Sequence, residues 1–295
     1  MIELKDLQVL LALSRHQHFA KAAQDCGMSQ PAFSMRIRNL EEKLGVSIVR
    51  RANRFQGLTE EGEMIVRRAR PILDDAKALE QEISAARGQV AGALILGVVP
   101  TATTYAAQVV DLVNQTYPLI QARIEVTTSL IIQQRLYDGT IDVGITYADS
   151  LGRDLVTVHP LYDESYVLLA PQDLVSEHSE GITWVEAAEL PLSLLIPEMQ
   201  NRRILDRIFD ELGLKPEIVS ESNGFMASIV LARSGAAATI LPRALIDALG
   251  DLDGTRALPL TDPEQTKPIC LAILDRQPEL TTVSALKEVV LKFAR

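Results

Sequence analysis

The segment from Phe19 to Val46 constrains the fold more than any other, because a glycine separates two short apolar helical stripes at helix-turn-helix spacing. Phe19, Ala20 and Ala23 form the first stripe, and Gly27 supplies the break that a tight inter-helix turn needs. Ser29 is placed as an N-cap, with Gln30 and Pro31 in the first turn, where a missing proline N–H leaves nothing unsatisfied. Phe33, Ile37, Leu40 and Leu44 then recur at spacings of four, three and four. That pattern buries one face and leaves Gln30, Ser34, Met35, Arg36, Arg38 and Asn39 on the others. Amide, hydroxyl and guanidinium groups around an exposed helix can meet base edges and phosphate oxygens. The alternative is an ordinary amphipathic helix with a solvated charged face.

A net charge of −10 argues against nucleic acid until its distribution is considered. Residues 1–70 carry twelve Lys/Arg against eight Asp/Glu, whereas residues 91–295 carry fifteen against twenty-seven. An acidic body stays off a phosphate backbone while the basic end engages it. The basic end continues in Arg50-Arg51-Ala52-Asn53-Arg54-Phe55-Gln56-Gly57, a turn-rich loop between short apolar segments that reads as a wing. Arg51 and Arg54 are its candidates for a minor groove or for phosphates, against the simpler reading of a solvated basic loop.

Thr59 is an expected N-cap, with Glu60 and Glu61 against the positive end of the helix that follows. Ile65, Ala69, Ile72, Ala76, Leu79, Ile83 and Ala86 recur at alternating spacings of four and three, a heptad seam suited to pairing with another helix. Pro71 falls inside this helix, where a bend is expected.

Phe19-Ala20-Lys21-Ala22-Ala23, Ser29-Gln30-Pro31-Ala32-Phe33-Ser34 and Ile37-x-x-Leu40-Glu41-x-x-Leu44-Gly45-Val46 together resemble the N-terminal domain of the LysR-type transcriptional regulators. The match continues through Arg51 to Leu58-Thr59-Glu60-x-Gly62, and the overall layout agrees to the C-terminus. Met35 stands where the family usually has a basic or polar residue, and Ile48-Val49 replaces its usual Leu-Phe. The resemblance implies DNA reading by Ser29, Gln30, Pro31, Ser34, Met35, Arg36, Arg38, Arg51 and Arg54. It also implies a winged helix-turn-helix over residues 1–59, a dimerising linker helix over 60–88 and an effector-binding domain over 89–295. The dimerisation residues would be Ile65, Ala69, Ile72, Ala76, Leu79 and Ile83.

Beyond Gly88 and Gly92 the pattern turns to strand–helix alternation. Expected strands include 94–99, 123–128, 141–146, 166–170, 192–196, 217–221, 238–241 and 268–274, with helices between them. Such units predict an α/β domain with an open, mostly parallel sheet. Two Rossmann-like lobes, residues 91–160 with 267–295 and residues 161–266, resemble the type II periplasmic-binding-protein fold of this family's effector domain. Ligands in such sheets sit at the carboxyl ends of strands. Those ends carry Thr101, Thr103, Ser129 and Thr146 in the first lobe, and Asn201, Arg202, Asn223 and Phe225 in the second. Free N–H groups and hydroxyls there suit a small anion, although such hydroxyls more often cap their own helices. Arg202 could clamp a carboxylate or pair with Asp206.

Neither a P-loop, a G-x-S-x-G, an H-E-x-x-H nor a G-x-G-x-x-G is present, so no catalytic site, metal or cofactor is expected. Cys26 and Cys270 lie far apart in the chain and form no cluster, and His16, His18, His159 and His178 lack metal-site spacing. No signal peptide or long apolar run is evident, so a cytoplasmic protein without a membrane role is expected. The sequence therefore predicts a non-enzymatic regulator. Its partners would be double-stranded operator DNA, a small and anionic effector and further copies of itself as dimer or tetramer, with RNA polymerase a further candidate. The alternative is a solute-binding or assembly protein without regulatory DNA binding.

Overall fold

The computed structural model describes residues 1–51, 55–152, 156–275 and 278–293. The chain divides into two compact units, Met1–Gly88 and Gln89–Arg295. In the first, helix α1 (Leu4–His16) opens on a reciprocal cap between Glu3 and Asp6 and ends at Gln17 in the left-handed region. Helix α2 (Phe19–Asp25) and helix α3 (Gln30–Leu44) follow. The Ser29 hydroxyl accepts the Ala32 N–H, Pro31 occupies the first turn and Gly45, at φ 69°, closes the helix.

Phe33, Ile37 and Leu40 are fully buried with Leu10, Leu13, Ala22 and Ala23, each large side chain contributing about 1.5–3 kcal/mol of burial. Strands β1 (Val49–Arg51) and β2 (Phe55–Leu58) pair as an antiparallel wing. Two contacts dock it on the helices. Phe55 sits edge-on to Phe19, which is edge-on to Phe33, with both centroid separations 6.1 Å. The Glu41 carboxylate accepts the N–H groups of Ile48 and Val49 at 2.9 and 3.2 Å.

Helix α4 (Glu60–Ala86) starts at Thr59, whose hydroxyl accepts the Gly62 N–H, and runs without interruption through Pro71. Gly62 packs so closely that a Cβ there would lie 2.3 Å from the Ile48 carbonyl oxygen. The chain needs glycine at this contact.

The second unit begins with strand β3 (Ala91–Val98), helix α5 (Thr103–Thr116), strand β4 (Leu119–Val126), helix α6 (Ser129–Tyr137) and strand β5 (Val143–Tyr147). These pair in parallel around β3. Strand β6 (Val156–Pro171) is unusually long, and strand β7 (Ile182–Thr183) and helix α7 (Trp184–Ala188) follow it. Next come strand β8 (Leu192–Leu195), helix α8 (Gln200–Glu211), strand β9 (Ile218–Ser222), helix α9 (Phe225–Arg233), strand β10 (Thr239–Pro242) and helix α10 (Arg243–Leu249). Strands β11 (Thr255–Thr261) and β12 (Thr266–Leu274) lead to helix α11 (Thr281–Phe293).

The main sheet runs β4-β3-β5-β12-β6-β11-β7, with β10 also on β6. The sheet is mixed, which corrects the expectation of a mostly parallel one. Both β11 and β12 run antiparallel to β6, and β12 antiparallel to β5. Parallel pairing needs a long crossover, which the helices after β3 and β4 provide. Among the described residues, the links before β6 and β12 contain no such helix.

The first half of β6 pairs with β12 up to Ser165, and its second half pairs with β10 and β11 from Tyr166 onward. This one strand belongs to both lobes. In the second lobe Trp184 is fully buried between Tyr166 and Phe209.

Candidate DNA-reading helix and effector cleft

On α3, Gln30, Pro31, Met35, Arg38 and Asn39 are exposed and Ser34 is half-buried. The Gln30 amide donates to the Ser34 hydroxyl at 3.2 Å, so two polar groups stand together at the front of the helix. Such a pair offers a donor and acceptors at fixed spacing, as base-edge recognition requires.

Arg36, expected to contact DNA, is engaged by two acids of the same unit. Its Nε donates to Asp6 Oδ1 at 2.7 Å and its Nη2 to Glu3 Oε2 at 2.6 Å. Lys43 Nζ reaches Asp6 as well, at 3.1 Å. Burial acts to raise the Asp6 pKa, but the Glu3 N–H, the Lys43 ammonium and the Arg36 guanidinium together hold it below the usual carboxylate value. Arg36 thus fastens α3 to the start of α1. The acids at positions 3 and 6 were the available signal, and nothing in the sequence places them beside Arg36. Arg51 is paired with Phe55 in the wing, and Arg54 lies outside the described residues.

The heptad seam of α4 splits into two faces. Ala69 is buried within the chain and Ile65 and Ala76 are half-buried, whereas Ile72, Leu79 and Ile83 are 47%, 56% and 49% exposed. Three large aliphatic side chains on one side of a helix leave apolar area for a partner.

In the first lobe Thr101, Ser129 and Thr146 are buried, Thr103 is half-buried, and all four hydroxyls are bonded within the chain. Thr101 follows β3 in a short 3-10 turn, and its Oγ1 is 3.1 Å from the Tyr147 hydroxyl. Tyr147 donates in turn to Glu164 at 2.6 Å. Thr146 donates to Ser129 at 2.9 Å, while Thr128, not Ser129, caps α6. Thr103 donates to the Pro100 carbonyl at 2.8 Å.

Glu164 and Tyr147 were not singled out from sequence. Both lie in strands with no motif around them. Burial raises the Glu164 carboxyl from its ordinary value of 4.5 to about 7, with hydroxyls of Tyr147, Thr101 and Tyr166 acting in the opposite direction. Burial and the nearby carboxylate push the Tyr147 phenol well up.

In the second lobe Asn201 sits in the first turn of α8, after the carboxyl end of β8. It is 2% exposed, and neither amide atom has a hydrogen-bond partner. Arg202 beside it bonds the framework, in line with the Asp206 pairing that was the alternative to a carboxylate clamp. Its Nη1 donates to the Leu195 carbonyl at 2.8 Å and to Glu221 at 2.6 Å, and its Nε to Asp206 at 2.7 Å. Arg203 bonds the carbonyls of Pro197 and Glu198. Phe225 is a core residue packed with Leu195, Met199 and Ile229, and Asn223 is exposed. Two adjacent arginines and an aromatic beside a strand end look alike in sequence whether they bind a ligand or the chain itself.

A helix-turn-helix with a wing, a long helix with an apolar seam and a two-lobed α/β unit define a modular DNA-binding regulator with an effector domain. Residues 4–63 match the family described as the bacterial regulatory helix-turn-helix protein, lysR family, and residues 87–295 match the LysR substrate binding domain. The chain belongs to the LysR-type transcriptional regulators, a family of regulators and not of enzymes. It is 32% identical over 248 residues to a probable hydrogen peroxide-inducible genes activator of Streptomyces viridosporus, covering 82% of this chain and 78% of that one. Its fold is similar to a full-length OxyR variant from Pseudomonas aeruginosa, with TM-score 0.73 and 24% identity over 98% of this chain and 95% of that one. It is also similar to full-length CbnR in complex with its target DNA, with TM-score 0.66 and 20% identity over 99% of both chains. Among the described residues no helix is long and apolar enough to cross a membrane.

Proposed function

We propose that this regulator acts on operator DNA as a dimer or tetramer and is switched by a small anionic metabolite held between its two lobes. In this reading residues 1–59 bind DNA, 60–88 assemble and 89–295 sense the effector. Gln30, Pro31 and Ser34 face base edges, while Arg38 and the wing arginines Arg51 and Arg54 meet phosphates or a minor groove. Ile72, Leu79 and Ile83 pair with a second copy. The metabolite meets Thr101 and Ser129 from one lobe and Asn201 from the other, so its contacts differ between open and closed arrangements. A buried amide with both atoms unpaired, in the first turn of α8, carries this reading. Orphaned buried polar groups cost about 1–3 kcal/mol and call for a partner.

The likeness to peroxide-inducible activators raises peroxide as another stimulus. Oxidation by peroxide needs an accessible thiolate. Burial pushes the Cys270 thiol up to about 12 and raises that of Cys26 as well. Both chemistries favour the metabolite.

A gel shift with DNA from upstream of the protein's own gene, repeated with a panel of small mono- and dicarboxylates, tests this. Wild type should bind without effector and change mobility with one carboxylate, and Asn201→Leu should bind DNA but lose that response. A response to peroxide alone, reversed by a thiol reductant, would overturn the metabolite reading.

A further inference from the structure

Strand β6 changes lobes between Ser165, which pairs with Thr266, and Tyr166, which pairs with Pro242. Glu164 stands at this crossing and is 2% exposed. One carboxyl oxygen accepts the Tyr147 hydroxyl at 2.6 Å. The other is buried and closes no hydrogen bond of good geometry, and the same holds for the buried hydroxyls of Tyr162 and of Tyr166, which stands close enough to act on the carboxyl. Tyr105 of α5 packs on Tyr162 with ring centroids 5.1 Å apart.

Among the described residues no cation compensates this acid. Lys267 of β12 is its cross-strand partner in register yet does not act on it, and neither do Arg256 of β11, Arg233 of α9 or Arg243 and Asp247 of α10. Its titratable neighbours are phenols. A buried carboxylate without a cation is unfavourable, whereas a neutral carboxylic acid has a proton to donate.

We propose that Glu164 is a proton-binding site that couples the arrangement of the two lobes to pH. Protonated, it donates from its second oxygen to Tyr162 or Tyr166 and completes the network across the crossing. Ionised, it favours an arrangement in which water reaches the crossing and the lobes loosen.

The sign follows from its acidity, which is raised from 4.5 to about 7 in the packed form. The packed form is therefore favoured at low pH and loses that advantage as pH rises through about 7. Between about pH 6 and about pH 8 the equilibrium should move roughly tenfold toward the hydrated form. Proton binding here requires no metabolite, so it stands whether or not the effector reading does.

Trp184 is the chain's only tryptophan and lies 6.4 Å, edge-on, from Tyr166, which makes it a built-in reporter. Emission and acrylamide quenching of the full-length protein should show an inflection near neutral pH, with quenching increasing on the alkaline side. Glu164→Gln should abolish it. His159→Gln, a substitution on the same strand, should keep it. No inflection in wild type, or one that survives Glu164→Gln, overturns the proposal. Infrared spectra of wild type supply a measurement that needs no variant. A protonated-carboxyl band present at about pH 6 should vanish by about pH 8, and its absence at the lower pH would count against the site.

Discussion

Replacing Arg36 separates a structural role from a DNA-contacting one. The guanidinium bonds Asp6, whose side chain is 3% exposed, at 2.7 Å and Glu3, which is 62% exposed, at 2.6 Å. The exposed pair is worth at most about 1 kcal/mol. The bond to buried Asp6 is charge-assisted and worth about 1.5–3 kcal/mol, and Lys43 remains as a second cation on that carboxylate. Arg36→Ala should therefore destabilise the first unit by about 2 kcal/mol. Hydrogen exchange by mass spectrometry should show amides of α1 and α3 exchanging about 30-fold faster, with peptides of the second unit unchanged. Under stabilising conditions the salt dependence of operator binding should keep its slope. A residue that neutralises a phosphate contributes about 0.9 to that slope. Unchanged exchange together with a slope smaller by that amount would refute the structural assignment.

Ile72→Asp with Leu79→Asp should dissociate the assembly in sedimentation while α4 stays helical, and an unchanged mass would move the interface elsewhere. Arg202→Ala should cost about 2–4 kcal/mol in denaturant unfolding followed at Trp184, because the Leu195 carbonyl, Glu221 and Asp206 lose one shared cation. A stable variant that lost only effector binding would return Arg202 to the ligand. Thr101→Val should leave the Tyr147–Glu164 bond in place and basal DNA binding near normal while abolishing the effector response. A full response would reduce Thr101 to a structural hydroxyl.

The helix-turn-helix was legible because its signals are local: Ser29, Pro31 and Gly45 mark the ends of α3, and the spacing of Phe33, Ile37 and Leu40 marks its buried face. Strand positions in the second unit were legible for the same reason, from short apolar runs. Strand β11 escaped because its buried residues Leu258 and Leu260 flank Pro259, which argues against a strand by sequence. Strand direction was not legible either, since the antiparallel pairing of β12 with β6 is decided by contacts a hundred residues apart. The site calls for the same distinction. Ser129 and Thr146 are brought together by the fold, but Arg202 and Arg36 are occupied by acids whose proximity only the tertiary structure provides. Glu164 carries no sequence signal at all, because what matters there is that no cation among the described residues faces it.

Operator binding by Gln30→Ala, measured against a set of single base-pair substitutions at several salt concentrations, tests the central claim most directly. The front of α3 is assigned to base edges, so the variant should lose about 1–3 kcal/mol on the preferred operator and lose discrimination at one base pair, with its salt slope intact. Wild-type affinity with the full wild-type base preference would contradict the assignment of this helix as the DNA-reading element.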